Sequence, residues 1–166
     1  MRVIADTSPL IALERIGQLD LLQQLYRTIW IPPAVRREML QGSQRIQRPH
    51  PLRHARWIRT ARQPLYLSSR LLHTTLGAGE SEVLALAARF PSSLVLIDEV
   101  AARTVARAIG LRYTGTLGVL LKAKAQGLIP AVRPLLDELI RCAFHLSTPL
   151  YRDTLTLAGE SVALLR

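Results

Sequence analysis

The stretch from Leu76 to Arg103, LGAGESEVLALAARFPSSLVLIDEVAAR, constrains the fold more than any other part of the chain. Glu80, flanked by glycine, opens a run of helix-forming and mostly apolar residues from Val83 to Ala88, and Pro91-Ser92-Ser93 supplies a turn. Leu94 to Ile97 is then continuously apolar and ends on Asp98. A strand this short, with no polar alternation, has no face to offer water, so it reads as the buried centre of a parallel sheet. A carboxylate at the carboxyl end of such a strand stands where open α/β sheets place their ligands. Glu80, at the mouth of the preceding helix, can reach the same edge. The expectation is an acid-lined cleft.

The rest of the chain repeats the same grammar. Arg2 to Asp6 is a first strand, again apolar and again ending on a carboxylate. Ser8 is the expected cap of the following helix, with Pro9 at its first position, an end near Ile16 and a stop at Gly17. A short helix at Leu19 to Tyr26 and a strand at Thr28 to Ile31 follow. Pro32-Pro33 starts a helix to about Leu40, with Gly42 as its stop. Residues 43–75 are the least regular, with a short strand at Trp57-Ile58 and a short helix at Ser69 to Thr74. Beyond Asp98 the pattern predicts a helix from Glu99 to Ile109, a strand at Leu111 to Thr114, and helices at Gly115 to Gln126 and Pro130 to Cys142. An edge strand at Phe144 to Ser147 and a last helix from Leu150 to Leu157 complete it. Strands alternating with helices imply an α/β fold with a parallel sheet covered on both faces. Residues 1–166 are read as a single domain, with 45–75 as an irregular Arg-rich insertion.

Composition narrows the partners. No apolar run approaches the roughly 18 residues that span a bilayer, and Arg2 leads straight into strand-like VIAD rather than a signal peptide. No membrane is expected, and the cytoplasm is the expected compartment. One cysteine, Cys142, excludes an internal disulfide framework and a multi-cysteine zinc site. The formal charge is +10, nearly all from arginine, since Lys122 and Lys124 are the only lysines. Such a surface attracts polyanions, nucleic acid first among them. Arg45, Arg48, Arg53, Arg56, Arg59, Arg62 and Arg70, interleaved with His50, His54 and Trp57, fall where no acid occurs between Glu38 and Glu80. Cations with an aromatic suit a single strand, whose phosphates they neutralise and whose bases can stack. The plain alternative is a solvated basic loop.

Four acids occupy corresponding places: Asp6 and Asp98 at strand ends, Glu38 and Glu80 near helix starts after the strand edge. Singly, each has an ordinary reading, a helix cap for either Asp and a solvated face beside Arg36 and Arg37 for Glu38. Together they would repel unless a cation joined them. Oxygen-only donors favour Mg2+ or Mn2+ over zinc. Glu82 competes with Glu80 for its place, and Gly79-Glu80 fits it better. Glu99 is either a supporting partner of Asp98 or an acid facing a helix dipole, the latter preferred. A phosphoryl-receiver domain shares this build, but there is no Asp between Asp20 and Asp98, and Tyr113-Thr114 stands where its lysine belongs.

VIADTSPLIAL, IPPAVRREML, LGAGESEVLALA, LIDEVAARTVARAIGL and TGTLGVLLKAKAQGLI, in that order, resemble the PIN-domain nucleases. The likeness is to the predicted nucleic-acid-binding branch related to VapC-type toxins, over almost the whole chain except about Ser43 to Thr75. It implies a three-layer α/β/α sandwich, strand order 3-2-1-4-5, and metal-dependent hydrolysis of single-stranded RNA. The family's four catalytic acids fall on Asp6, Glu38, Glu80 and Asp98, with Asp6, Glu80 and Asp98 as metal ligands and Thr7 and Ser8 as the accompanying hydroxyls. A homodimer and an antitoxin partner are implied by the same likeness. The apolar N-terminal helices (Leu10, Ile11, Leu13, Ile16, Leu21, Leu22, Leu25) also suggest a dimer. The alternative function is a nucleic-acid binder with weak or no nuclease activity.

Overall fold

A computed structural model describes residues 1–45, 55–61 and 76–160. Strand β1 (Val3–Ala5) is fully buried and lies at the centre of a five-stranded sheet of order β3-β2-β1-β4-β5. Its neighbours are β2 (Ile29–Ile31) and β4 (Leu94–Leu96); β3 (Ile58–Thr60) and β5 (Arg112–Thr114) form the edges. Every pairing is parallel, with Val3 opposite both Ile29 and Leu94. The apolar runs dictate this: VIA and LVL expose nothing, so both faces of the inner strands must be covered.

The cover comes from helices α1 (Thr7–Arg15), α2 (Leu21–Tyr26), α3 (Pro33–Arg45), α4 (Ala78–Ala88), α5 (Val100–Ala108), α6 (Thr116–Ala125), α7 (Arg133–Arg141) and α8 (Thr148–Leu157). Helices α1 and α2 pack with α6, and α4 packs with α5 and α3. The result is the expected three-layer α/β/α sandwich with the expected strand order. Leaving β1, the chain moves outward to β2 and β3; entering β4, it moves the other way to β5. The carboxyl ends of β1 and β4 therefore flank a topological switch point.

Several local expectations are corrected. Helix α1 begins at Thr7 with extended Asp6 (φ −81°, ψ 168°) as its N-cap residue, so Ser8 is inside the helix. Asp6 N–H is tied to Leu96 O at 2.9 Å, which holds its backbone in the sheet and lets the helix start one residue on. Helix α3 runs through Gly42 to Arg45; one interior glycine costs only about 1 kcal/mol relative to alanine, too little to end a helix. Phe144 to Ser147 forms no strand. Phe144 packs against the core, its N–H bonds Leu139 O at 2.9 Å to close α7, and Ser147 caps α8. The expected helix at Ser69 to Thr74 lies outside the described residues. Leu10, Leu13, Ile16, Leu21 and Leu22 are buried in this chain's own core, so they offer a second copy no surface. No helix among the described residues is long and apolar enough to cross a membrane.

Candidate functional site

The switch point gathers acids by the way the elements end. Asp6 follows β1 directly and is only 3 % exposed. Glu38 sits in the second turn of α3, part-buried rather than on a solvated face; it accepts the Thr7 hydroxyl and the Gly79 N–H, the latter at 3.1 Å. Gly79 has to be glycine for this approach, since a Cβ there would stand 2.8 Å from both Glu38 carboxylate oxygens. Glu80 lies in the first turn of α4 and folds back onto the Gly77 N–H at 2.8 Å, satisfying a backbone donor that the helix leaves open.

The Asp6 carboxylate senses the other two. Burial pushes the Asp6 carboxyl up from 3.8 to about 6. The nearby Thr7 and Ser8 N–H groups pull it partly back without closing a capping hydrogen bond, while the Glu80 and Glu38 charges raise it further. Among the described residues, no arginine or lysine forms an ion pair with Asp6, Glu38 or Glu80.

Asp98 is placed differently. It stands at the same sheet edge, two residues beyond β4, but both oxygens are already engaged. Oδ1 accepts Thr116 N–H at 2.8 Å and Arg103 Nη2 at 3.3 Å; Oδ2 accepts the Thr116 hydroxyl at 2.6 Å. Arg103 also donates Nε to Ile97 O at 2.9 Å. A Cβ on Gly115 would collide with both the Arg103 guanidinium and the Asp98 carboxylate, so this glycine makes the arrangement sterically possible. Neither Arg103 nor Thr116 was among the residues expected to build the site. A groove of about 600 Å³ opens beside them, lined by Asp98, Arg103, Tyr113, Leu117, Phe144 and His145.

Of the competing acids, Glu82 points away: it accepts Ala34 N–H at 2.8 Å and lies 3.7 Å from Arg37, pinning α4 to the start of α3. Glu99 is the exposed N-cap residue of α5 and makes no capping bond. Ser8 is exposed at the groove rim. Of the arginine segment, Arg56 and Arg59 are exposed at the β3 edge, while Trp57 is half-buried against the core. Arg45 closes α3, but its side chain lies outside the described residues, as do Arg48, Arg53, Arg62, Arg70, His50 and His54.

The donor set is right in kind for a hard divalent cation: oxygen only, one member buried, and three members without a protein cation among the described residues. As the side chains lie, no three His, Cys, Asp or Glu residues among those described are grouped closely enough to hold an ion.

The family model described as DUF3368, PIN domain, matches residues 2–160. The chain belongs to the PIN-domain family. Neither the curated proteins nor the solved structures contain a match to it. Membership places this PIN domain in a superfamily of nucleic-acid-binding proteins and nucleases. The match covers all four acids, Arg103, Gly115 and Thr116.

Proposed function

We propose that this PIN domain is a metal-dependent endoribonuclease acting on single-stranded RNA, with Mg2+ or Mn2+ as its ion. The observation that carries the reading is the trio Asp6, Glu38 and Glu80: a buried Asp6 whose carboxyl is raised by the charges of Glu80 and Glu38 at a switch point, with none of the three ion-paired to a cation among the described residues. A buried charge left in that state is costly, and an exogenous cation removes the cost. Asp6, Glu80 and Asp98 would hold the ion, which when bound lowers the pKa of a water and stabilises charge on the phosphate. Glu38, oriented by Thr7 and Gly79, positions the attacking water. Arg56 and Arg59 at the β3 edge, with Arg45, Arg48, Arg53 and Arg62, bind the phosphates and Trp57 offers a partly exposed ring.

The second reading is a nucleic-acid binder that does not cut. What favours it is Asp98, whose oxygens are occupied by Thr116 and Arg103. Asp98→Asn separates the two. Cleavage of a labelled single-stranded RNA with Mg2+ or Mn2+ should be abolished while binding stays largely intact, because metal acts on charge that develops only in the transition state. Glu82→Gln and Glu99→Gln should keep most activity. Wild type that binds many RNAs and cuts none with either metal leaves the binder reading in place.

A toxin role, with an antitoxin as inhibitor, and a homodimer belong to the same proposal. Exposed Val100, Leu150 and Leu157 at the groove offer apolar surface to a second chain, as do Leu40, Ile109, Leu128 and Ile140 elsewhere. A monomer by light scattering at high concentration would reject the dimer.

A further inference from the structure

The three inner strands are buried except at one residue. In β1, β2 and β4 only Trp30 keeps part of its surface, and its partners in register are Ile4 on β1 and exposed Arg59 on β3. A cavity of about 310 Å³ opens there. Arg2, at its mouth, precedes β1 whereas Asp6 follows that strand, so the two stand roughly 13 Å apart along it. The floor is apolar, from buried Ile4, Ala61 and Leu86. The walls are two half-buried rings, Trp30 and Phe90, and the rim carries exposed Arg2 and Arg89. The Arg2 guanidinium carbon lies 3.8 Å from the Phe90 ring centre and 5.3 Å from that of Trp30. It therefore stacks on Phe90 and only borders Trp30, whose half-exposed indole also lines the cavity. No acid is among the described lining residues, and neither Arg2 nor Arg89 forms a salt bridge among the described residues. From this we infer that the pocket takes one base of a single-stranded nucleic acid, stacked on Trp30, with Arg2 and Arg89 on the phosphates that flank it.

The inference extends the nucleic-acid side of the reading above and is independent of cleavage. The cavity stands at the small end of the usual span for ligand sites, about 300–1,000 Å³, which suits one planar ring system. An aromatic wall over an apolar floor favours the π-face that every base has, so the pocket reads no sequence. Two guanidiniums without a carboxylate call for an anion, in a chain whose formal charge is already +10. An acidic peptide would answer the cations alone. The indole beside them asks for a flat group at the same place, and a nucleotide carries both as one unit. Ring and cation also sit on fixed backbone: Arg2 O accepts Leu94 N–H at 2.8 Å, and Phe90 O accepts Ser93 N–H at 2.8 Å. A preorganised pair has less freedom to lose on binding. If Arg2 served only to cover Phe90, its replacement would lower stability and leave RNA binding unchanged.

The test titrates labelled single-stranded RNA, and an abasic oligomer of equal length, into wild type, Trp30→Leu, Arg2→Gln and Arg89→Gln. Arg112→Gln, on the opposite edge strand, is the charge control. Thermal melts first show which variants fold. Trp30→Leu should weaken RNA binding roughly tenfold, as for the loss of one stacked base, and leave the abasic oligomer within about twofold. Arg2→Gln and Arg89→Gln should weaken both oligomers about three- to fivefold and flatten the slope of log K against log salt by about 0.7 each. Arg112→Gln should move neither by more than about twofold. Should Trp30→Leu not fold, the native ring reports instead. In Trp57→Phe, Trp30 is the one tryptophan left, and its emission should fall saturably with RNA and stay constant with the abasic oligomer. Wild-type RNA affinity in folded Trp30→Leu, an equal loss for both oligomers, or Trp30 emission that ignores RNA each overturns the inference. A loss in Arg112→Gln as large as in Arg2→Gln reduces the effect to net charge and also overturns it. Wild type that shows the base-dependent binding but cuts no RNA with Mg2+ or Mn2+ rejects the nuclease reading and leaves this inference standing. Wild type that binds no single-stranded RNA removes both.

Discussion

Asp6→Asn should make the metal-free protein more stable, although it removes the acid that the fold places most centrally. The wild-type carboxyl rises from 3.8 to about 6, chiefly by burial and then by the Glu80 and Glu38 charges, against the pull of the Thr7 and Ser8 N–H groups. A rise of about two pH units corresponds to at most ~3 kcal/mol of destabilisation by the ionised form, at about 1.4 kcal/mol per unit. The sign follows from the folded pKa lying above the unfolded one. The cost is fully present well above pH 6, shrinks as pH falls through 6, and is gone only below the unfolded value of 3.8, where Asp6 is protonated in both states. Asparagine never carries the charge, and its amide can donate to the neighbouring carboxylates. The gain expected at pH 7.5 is about 1–2 kcal/mol, or roughly 2–8 °C in Tm for a domain of this size. Urea unfolding in chelator from pH 7.5 to 4.5 measures it, and the gap between variant and wild type should close toward the acid end. Mn2+ at a hundredfold above Kd should then reverse the ranking, adding about 2.7 kcal/mol to wild type and little to the variant. A variant less stable than wild type at pH 7.5, or equal stabilisation of both by Mn2+, refutes the reasoning.

Two further outcomes are expected. Glu160 is subject to burial that would raise its pKa, but the Lys124 ammonium at 2.7 Å and the N–H groups of Val132 and Arg133 hold it below its usual 4.5. Its contribution is therefore present above the unfolded pKa and lost as pH falls through the folded one; Glu160→Gln should cost about 1–3 kcal/mol at pH 7 in urea unfolding, with the difference narrowing as pH falls below the usual 4.5. Gly79→Ala adds a methyl 2.8 Å from the Glu38 oxygens, so Glu38 must leave the Gly79 N–H. Stability should change by less than about 1 kcal/mol, because helix propensity offsets the lost bond, while RNA cleavage falls roughly tenfold or more; full activity would show that the position of Glu38 is unimportant.

The strands were legible because a parallel core strand is apolar throughout: VIA, IWI and LVL announce themselves without alternation. Their order was not, since nothing in a three-residue strand specifies its neighbour, and the 3-2-1-4-5 order rested on the family likeness. Glycine stops were right where the backbone takes a positive φ, as at Gly17, Gly110 and Gly127 (67°, 73° and 71°), and wrong at Gly42, where the helix continues. Phe144 to Ser147 looked like strand from its composition, yet the chain there is occupied closing one helix and capping the next. In the site, carboxylates at strand ends could be read directly, and Glu80 could be preferred to Glu82 because Gly79-Glu80 fits the family pattern better; in the structure Glu82 is engaged with Ala34 N–H. The partners of Asp98 escaped because Thr116 lies 18 residues away and its hydroxyl has no pattern of its own. Arg103 was visible, one helical turn past Glu99, but a cation among many arginines draws no notice until its anchor on Ile97 O is seen.

The register of the central pair has a consequence for synthesis on the ribosome. Val3 is opposite Leu94, and Asp6 N–H is held by Leu96 O, so the middle strand remains half-bonded until more than half the chain has emerged. The acid cleft is completed later still, since Asp98 takes its orientation from Thr116 and Arg103. Pairings of such long sequence separation form late because loop closure precedes any compensating contact. At about 5–20 residues per second, translation therefore spends several seconds on a nascent chain that has its arginines but not its assembled cleft. On the nuclease reading proposed above, such a chain attracts RNA before it can cut it, and the message being read is spared until Thr116 has emerged to orient Asp98.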